Sequence, residues 1–279
     1  TEVLQSCPNP IPDTNDRPDI TVGPHVLKNV RQFVYLGSVL SDEYHLDAEI
    51  ENRINKASTS FGRLRARVFT NSNIRVHTKI AVYLTVCVTT LLYGCEAWTL
   101  YRRHLKMLEA FHVRCLQRIF KITWRDKVPH VEILRRAGLT SVETLIVSRQ
   151  LRWLGHVVRM PDNRLPKIIL YGEIENAPRL PGGPKKRYKD HMNKTLGRCN
   201  IQSQHLETTA VDRPLWQKIT AAGCEHYEAE RCRRIEEKRR RRHMAPEDLD
   251  PSQRHVCPQC NKICRSRIGL FSHSRTHRN

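Results

Sequence analysis

Four residues near the end of the chain, Cys257, Cys260, His273 and His277, have the spacing C-x2-C-x12-H-x3-H. Two thiols separated by two residues fit one tight turn, and two imidazoles four residues apart share a face of a helix. Together they can close a tetrahedron around one Zn²⁺ and leave no open position for a substrate. The sequence therefore predicts one structural zinc site in a small ββα finger of the C2H2 type.

The apolar framework of this finger matches the expected pattern only in part. Leu270 stands three residues before His273, where the helix of such a finger needs a core residue. The usual aromatic residue, four positions after the second cysteine, is replaced by Cys264, which can act as a small hydrophobic residue. Cys264 could instead replace a histidine as a ligand, but both histidines are already in register, so we favour the four ligands named above.

The positions that read bases in such fingers carry small side chains here. If His273 is helix position 7, positions −1, 3 and 6 are Ser266, Gly269 and Ser272, and none of them can form a bidentate pair with guanine or adenine. The cations lie elsewhere, which favours contact with phosphates over sequence readout. The candidate contacts in the finger are Lys262, Arg265, Arg267 and Arg275.

The whole chain of 279 residues is strongly basic, with a formal net charge of +20 at pH 7. Such an excess favours a polyanionic partner, above all RNA, DNA or their hybrid. Two further basic clusters stand out, one closing a Pro/Gly-rich stretch and one ending a long helical pattern. Their candidate contacts are Lys185, Lys186, Arg187, Arg239, Arg240, Arg241 and Arg242. The helical cluster could equally be a solvated face or a nuclear-import signal.

Cysteine usage indicates a reducing compartment. Of the ten cysteines, two are proposed ligands, and Cys87, Cys95 and Cys115 lie in apolar helical patterns. Since no signal peptide opens the chain, we expect a nuclear or cytoplasmic protein that is not secreted. The apolar run from Ile80 to Tyr93 is 14 residues long, too short to span a bilayer, so no membrane partner is expected. The first residue is Thr1, and we expect a fragment or a processed piece.

The elements that must position these residues are mostly helical. A β-rich run with a central glycine, residues 33–40, predicts a hairpin, and apolar residues at helical spacing predict a helix from Asp47. Asn73 is the predicted N-cap of a second helix, which extends to about Gly94. Further helices are expected over residues 103–122, 128–137, 141–160 and 191–199, and Pro214 should lie in the first turn of a long helix that ends near His243.

Tryptophan and histidine offer further candidate contacts. Trp98, Trp153 and Trp216 could stack on bases, but Trp98 and Trp153 lie on helical stripes, which favours a core position. His156 could contact phosphate or pack, and packing is favoured. Cys224, His226 and Cys232 match no usual metal-site spacing.

Five phrases give the chain a resemblance to a known family. They are Phe33-Val-Tyr-Leu-Gly-Ser38, Leu92-Tyr-Gly-Cys-Glu-Ala-Trp98, Arg152-Trp-Leu-Gly-His-Val-Val-Arg-Met160, Lys186-Arg-Tyr-Lys-Asp190 and, in the finger, Cys264-Arg-Ser-Arg-Ile-Gly-Leu270. In this order, over about residues 30–195 and again in the finger, they resemble the C-terminal part of non-LTR (LINE-type) retrotransposon reverse transcriptases.

The resemblance implies a role after the catalytic palm of such a polymerase. Tyr35, Leu36 and Gly37 would belong to a hairpin that holds the primer end, and residues 43–125 would form a thumb that grips the template–primer duplex. The family's aromatic-x-Asp-Asp turn is absent, since the adjacent acidic pairs are Asp42-Glu43, Glu236-Glu237 and Glu247-Asp248. Without carboxylates placed to hold two Mg²⁺ ions we expect no nucleotidyl transfer by this chain.

These observations predict a mainly α fold, in which a helical thumb-like region follows a short β-hairpin and a small ββα zinc finger ends the chain. The expected regions are an irregular flank (1–32), the hairpin plus thumb-like region (33–125), a further helical region (126–172), a Pro/Gly-rich basic loop (173–190), a basic helical linker (191–253) and the finger (254–279). The expected function is zinc-dependent, mainly nonspecific nucleic-acid binding by a noncatalytic piece of a retrotransposon RNA-directed DNA polymerase. The alternatives are a domesticated zinc-finger nuclear regulator and a module that docks proteins through the finger or the basic helix.

Overall fold

The structure is a computed structural model, and it describes residues 2–4, 19–42, 45–172, 186–243, 255–264 and 266–277. Helices dominate these residues, as predicted, and the strands are short. The chain forms two compact units, residues 1–228 and 229–279. Of the basic loop predicted at 173–190, residues 173–185, including Lys185, lie outside the described residues, and residues 188–190 are helical instead. Residues 244–254 and Arg265 also lie outside the described residues.

The strands pair two by two. The strands β1 and β4 are parallel, whereas β2–β3, β5–β6 and β7–β8 are antiparallel pairs. Their bounds are β1 Glu2–Val3, β2 Thr21–Val22, β3 His25–Val26, β4 Lys28–Asn29, β5 Gln32–Tyr35, β6 Ser38–Ser41, β7 His255–Val256 and β8 Ile263–Cys264. The first four lie in the flank that was expected to be irregular.

The predicted hairpin is confirmed as β5–β6. Its two turn residues, Leu36 and Gly37, have φ angles of 48° and 84°. Positive φ at both central residues is the backbone of a tight two-residue turn, whose twist matches that of the flanking strands. Glycine adopts this backbone without strain, whereas Leu36 does so at a cost that the paired strands must offset.

Eleven α-helices occur in the described residues. They are α1 Asp47–Leu64, α2 Val76–Val82, α3 Thr89–Leu91, α4 Arg102–Phe120, α5 His130–Ala137, α6 Val142–Val158, α7 Leu165–Tyr171, α8 Tyr188–Arg198, α9 Leu206–Val211, α10 Arg213–His243 and α11 Arg267–Ser274. The predicted start of α1 at Asp47 and the predicted span of α10 are confirmed. Gly138 has a φ of 64° and separates α5 from α6, as the sequence indicated.

The second helix begins later than predicted and is not uniform. Asn73 is not its N-cap, because the side-chain oxygen of Asn71 accepts a hydrogen bond from the Asn73 N–H and the chain stays extended at Arg75. From Tyr83 to Val88 the helix has π-type hydrogen bonds. The Thr85 hydroxyl donates to the Ala81 carbonyl in the preceding turn. Such side-chain bonds compete with the regular backbone pattern and bend helices.

Two apolar clusters build the first unit. One gathers α1 to α5 around the stacked rings of Phe61 and Phe69 and the buried Tyr83. The other joins α6, α8, α9 and the beginning of α10 around Leu154, Leu196 and Trp216. Residues 188–228 therefore pack in this unit, although the sequence placed residues 191–253 in a basic linker.

A buried ion pair fastens the hairpin to α1. Glu49 and Arg53 are 3% and 4% exposed, and the Arg53 Nε lies 2.6 Å from the Glu49 Oε1. The second carboxylate oxygen of Glu49 accepts a hydrogen bond from the Val39 N–H at 2.7 Å. Arg53 in turn donates to the Gly37 carbonyl at 2.8 Å and lies near the Ser38 hydroxyl at 3.0 Å. The charged side chains of Glu49 and Arg53 thus bind both the turn and the second strand of the hairpin to α1.

A buried histidine predicts pH-dependent stability of the first unit. His112 is fully buried, the Tyr83 hydroxyl lies 2.8 Å from its Nδ1, and burial lowers the pKa of His112 to about 4. Between pH 6.5 and 4 the unfolded chain therefore binds more protons here, so stability falls as the pH falls through this window, by about 3 kcal/mol in all. Denaturant unfolding at several pH values, followed by tryptophan fluorescence, measures this slope.

The matched variant is His112→Gln, which keeps a hydrogen-bond acceptor for Tyr83 but does not titrate. We expect its stability to depend less on pH than that of the unchanged chain over the same window. Equal slopes for both proteins would show that His112 is not buried as a neutral group. All four tryptophans, Trp98, Trp124, Trp153 and Trp216, lie in the first unit, so the signal does not report on the finger.

Two further observations concern the cysteines and the hydropathy of the helices. Cys87, Cys95 and Cys115 are buried, and every cysteine in the described ranges is a free thiol. Among the same residues, no helix combines the length and the apolar character that crossing a membrane requires.

Candidate metal centre and nucleic-acid contacts

The finger has the predicted ββα order. The strands β7 and β8 pair, α11 follows, and a 3-10 turn over Arg275–His277 carries the last histidine. A tight turn leads from the two cysteines into β8, and two backbone hydrogen bonds stabilise it. The Cys257 N–H donates to the Lys262 carbonyl, and the Asn261 N–H donates to the Cys257 carbonyl. Asn261 has a φ of 56°, a backbone that asparagine tolerates better than most residues.

The four predicted ligands converge on one point. Their donor atoms all lie within 4.8 Å of one another. The Sγ of Cys260 is 3.1 Å from the Nε2 of His273, and the Sγ of Cys257 is 3.4 Å from the Nε2 of His277. Tetrahedral zinc with bonds of about 2.0–2.3 Å places its ligands roughly 3.3–3.8 Å apart. The donor set and its spacing therefore fit a closed, structural zinc site, in which two thiolates and two neutral imidazoles would hold the ion.

The environment of the donors favours the protonation states that bind metal. Hydrogen bonding to the backbone, chiefly at Gln259, lowers the pKa of the Cys257 thiol, and desolvation and the neighbouring His277 lower the pKa of His273. Cys264 pairs with His255 in the sheet. Within the described ranges, the four predicted residues are the one group of His, Cys, Asp or Glu side chains that converge in this way, and Cys264 does not belong to it.

The helix of the finger begins at the residue that the numbering from His273 predicts. Ser266 is the N-cap of α11, and its hydroxyl accepts a hydrogen bond from the Gly269 N–H at 3.0 Å. Position −1 therefore caps the helix. Leu270 is half-buried, as a core residue of so small a module would be. Ile268 and Phe271, by contrast, are 80% and 61% exposed and form an apolar surface that the sequence analysis did not identify.

The cations of the finger lie on its surface. Lys262 and Arg267 are exposed, and Arg275 is exposed with its guanidinium 5.0 Å from the centre of the Phe271 ring. These three candidates therefore lie together on the surface of one small module.

The other two basic clusters differ from each other. Lys186 takes part in packing, because its ammonium group donates to the Leu100 carbonyl at 2.8 Å and lies 4.7 Å from the centre of the Tyr101 ring. Arg187 is exposed just before α8. The four arginines at 239–242 are exposed near the end of α10, and four successive helical residues point in all directions, since each turns the helix by about 100°. A single bound strand could meet only some of them.

The core position favoured for Trp98 and Trp153 is confirmed for Trp98, whereas Trp153 is half-buried. Trp98 and Trp216 are core residues, 3% and 2% exposed, and the Trp216 indole donates to the Leu151 carbonyl at 3.0 Å. His156, for which packing was favoured over phosphate contact, is exposed, and its ring lies against the half-buried Trp153 with ring centres 5.3 Å apart. Both line an open cleft of about 700 Å³ in the first unit.

The basic residues of this cleft were not recognised in the sequence. Arg152 and His156 lie on α6, Arg159 is the C-cap residue of this helix, and all three line the cleft at the spacing i, i+4, i+7. Residues at this spacing share a helical face, so three basic side chains at this spacing were the signal that could have found them.

Comparison with known proteins gives one informative match. The chain is 25% identical over 202 residues to an uncharacterised transposon-derived protein of Caenorhabditis elegans, and the match covers 69% of this chain and 71% of that protein. This similarity supports a transposon origin of the chain. No protein-family model matches it, and neither does any solved structure.

Proposed function

We propose that the chain binds nucleic acid with little sequence specificity, as a noncatalytic C-terminal piece of a non-LTR retrotransposon RNA-directed DNA polymerase. One observation carries this proposal. The finger exposes Lys262, Arg267 and Arg275, while the three positions that would read bases offer only a capping serine, a glycine and a second serine. The transposon-derived relative supports a transposon origin, and the five family-like phrases support the assignment to a polymerase.

The chemistry of binding follows from the charges. Lysine and arginine on a surface neutralise phosphates and release condensed counterions, which makes affinity independent of sequence and sensitive to salt. Zinc would keep the finger folded and so hold its cations in one arrangement. The basic end of α10, with the exposed arginines 239–242, would add to the same effect. We propose that the chain binds nucleic acid in this way in the nucleus or cytoplasm. Nucleotidyl transfer would depend on residues that this sequence does not contain.

Binding to labelled oligonucleotides at several salt concentrations tests the proposal. Duplex DNA, duplex RNA, their hybrid and single strands of unrelated sequence should all bind, with affinities that fall steeply as salt rises. Arg267→Ala should lower the slope of log affinity against log salt by about 0.9 on duplex DNA, the contribution of one phosphate contact. It should weaken all sequences equally, because a phosphate contact carries no sequence information.

A matched control is Arg135→Ala, which removes an equal charge from an exposed residue of the first unit. Its effect on the slope should be smaller than that of Arg267→Ala. A preference of more than roughly a hundredfold for one base sequence would contradict the proposal, since about two good bidentate contacts would be needed for it.

A second candidate function is docking of a protein on the finger. It is favoured by the exposed Ile268 and Phe271, which lie one turn apart on α11. Apolar side chains that are exposed side by side are typical of surfaces that bind other proteins. No measurable binding to any oligonucleotide, or binding that does not change with salt, would favour this alternative.

A further inference from the structure

The open cleft in the first unit joins three segments that are far apart in the sequence. It lies between the turn that follows Gly94, the basic face of α6 and the beginning of α10. Its volume of about 700 Å³ falls within the range of about 300–1,000 Å³ that is usual for ligand pockets. Two of the family-like phrases, at residues 92–98 and 152–160, thus contribute to one concave surface.

The floor of the cleft is aromatic and held in place. Trp153 and Trp216 both line it, and the indole N–H of Trp216 is bonded to the Leu151 carbonyl. The Trp216 ring lies directly over Gly155, where an added Cβ would be 2.1 Å from the indole nitrogen. The side-chain amide of Gln150 donates to the Trp98 carbonyl at 2.8 Å and so ties the turn to α6. Because these contacts lie within the protein, the cleft does not need a ligand to form it.

The rim of the cleft is basic. Arg152, Arg159 and Arg213 surround the floor together with His156, and Glu96 is the one acidic residue among the lining side chains. Arg159 is oriented by a bond to the Ala210 carbonyl at 2.6 Å. Arg152 and Arg213 are exposed and have no ion-pair or hydrogen-bond partner within the part of the chain that the structure describes. Positive charge at the rim of an aromatic floor matches a ligand that has both a flat apolar part and an anionic part.

We propose that this cleft binds a nucleotide of single-stranded RNA or DNA, with the base against Trp153 and the backbone phosphates at Arg152 and Arg213. A paired base is stacked within its duplex and cannot enter a concave site, whereas a single strand presents its bases to aromatic side chains. The proposal takes the class of ligand from the proposed function, but the site is separate from the finger and requires no zinc.

The test uses the complete zinc-loaded chain with single-stranded oligonucleotides of dT and of U, and with a duplex of equal length. Arg152→Glu combined with Arg213→Glu should weaken single-strand binding by roughly tenfold or more and lower its salt slope by about 1.4, the value for two phosphate contacts. The matched control, Arg114→Glu combined with Arg118→Glu, changes the net charge equally on the exposed face of α4. It should weaken single strands clearly less than the cleft variant does.

Stacking of a base on Trp153 can be measured separately through tryptophan fluorescence. Saturating oligo-dT should quench part of the tryptophan fluorescence, and Trp153→Phe should abolish most of that quenching. Trp124→Phe, which replaces an 82% exposed tryptophan outside the cleft, should leave it intact. Phenylalanine retains a ring, so folding and most of the affinity should survive the change at Trp153.

The possible results separate this inference from the proposed function. If the unchanged chain binds no oligonucleotide, the proposed function fails. If it binds, but the cleft variant and the control variant weaken single strands equally, the cleft is not the site. Quenching that disappears in Trp124→Phe and persists in Trp153→Phe would also overturn the inference.

Discussion

Replacing Cys257 by serine unfolds the finger and leaves the helical unit folded. The finger has little else to stabilise it, because Cys257 is its one buried side chain among the described residues and Leu270 is only half-buried. Structural zinc in such modules contributes an apparent free energy of about 10–16 kcal/mol at neutral pH, far more than so small a core can supply. The loss of one thiolate removes most of this stabilisation.

The measurement is the NMR spectrum of the complete labelled chain, together with its zinc content. We expect one zinc per chain before the change, and afterwards a collapse of the amide signals of residues 255–277 to the narrow range of an unfolded segment. Cobalt in place of zinc should give the visible absorption of a tetrahedral site, and this absorption should also disappear.

Cys264→Ser is the matched control, since it makes the same chemical change at a half-buried cysteine seven residues away. It should keep the metal and the dispersed spectrum. If the two variants behaved oppositely, with zinc lost on changing Cys264 and retained on changing Cys257, the assignment of the ligands would be wrong.

Replacing Glu49 by glutamine should destabilise the first unit by about 3–5 kcal/mol, the usual cost of leaving one member of a buried ion pair without its partner. The amide cannot neutralise the Arg53 guanidinium, which is 4% exposed and bonded to the Gly37 carbonyl. The damage should be local as well as global, because the same carboxylate accepts the Val39 N–H. Denaturant unfolding gives the free energy, and amide exchange at Val39 reports on the hairpin.

The control is Glu132→Gln, at a glutamate that pairs with Arg135 and Arg136 on the surface of α5. Solvent screens this pair, so its loss should change stability far less. The double variant Glu49→Gln and Arg53→Met should be less destabilised than the sum of its single variants, since the uncompensated charge is then absent. Equal effects of Glu49→Gln and Glu132→Gln would show that the pair in α1 is not buried.

Elements with local signals could be predicted from the sequence. The apolar spacing after Asp47, the glycine at 138 and the proline at 214 each act within a few residues, and the corresponding helices begin or end where these residues indicated. The same is true of the finger, whose four ligands are defined by their spacing alone.

What the sequence did not reveal depends on contacts that form only when the chain folds. Asn73 has the chemistry of an N-cap, but its N–H donates to the Asn71 side chain and the helix begins only at Val76. Lys186 belongs to a basic run, yet its ammonium group packs on Tyr101. The cleft was missed for the same reason, because Glu96 and Arg213 become neighbours of α6 only after folding.

The close approach of Trp216 to Gly155 bears on how related chains can vary. A methyl group at position 155 would lie 2.1 Å from the indole nitrogen, so even alanine there requires the ring to move or to be replaced by a smaller side chain. Conversely, a chain that retains the glycine and loses the tryptophan has a void beneath the cleft. The two positions should therefore be exchanged together during divergence. The glycine of the phrase Trp-Leu-Gly-His and a tryptophan about sixty residues later then form a joint marker for recognising related chains.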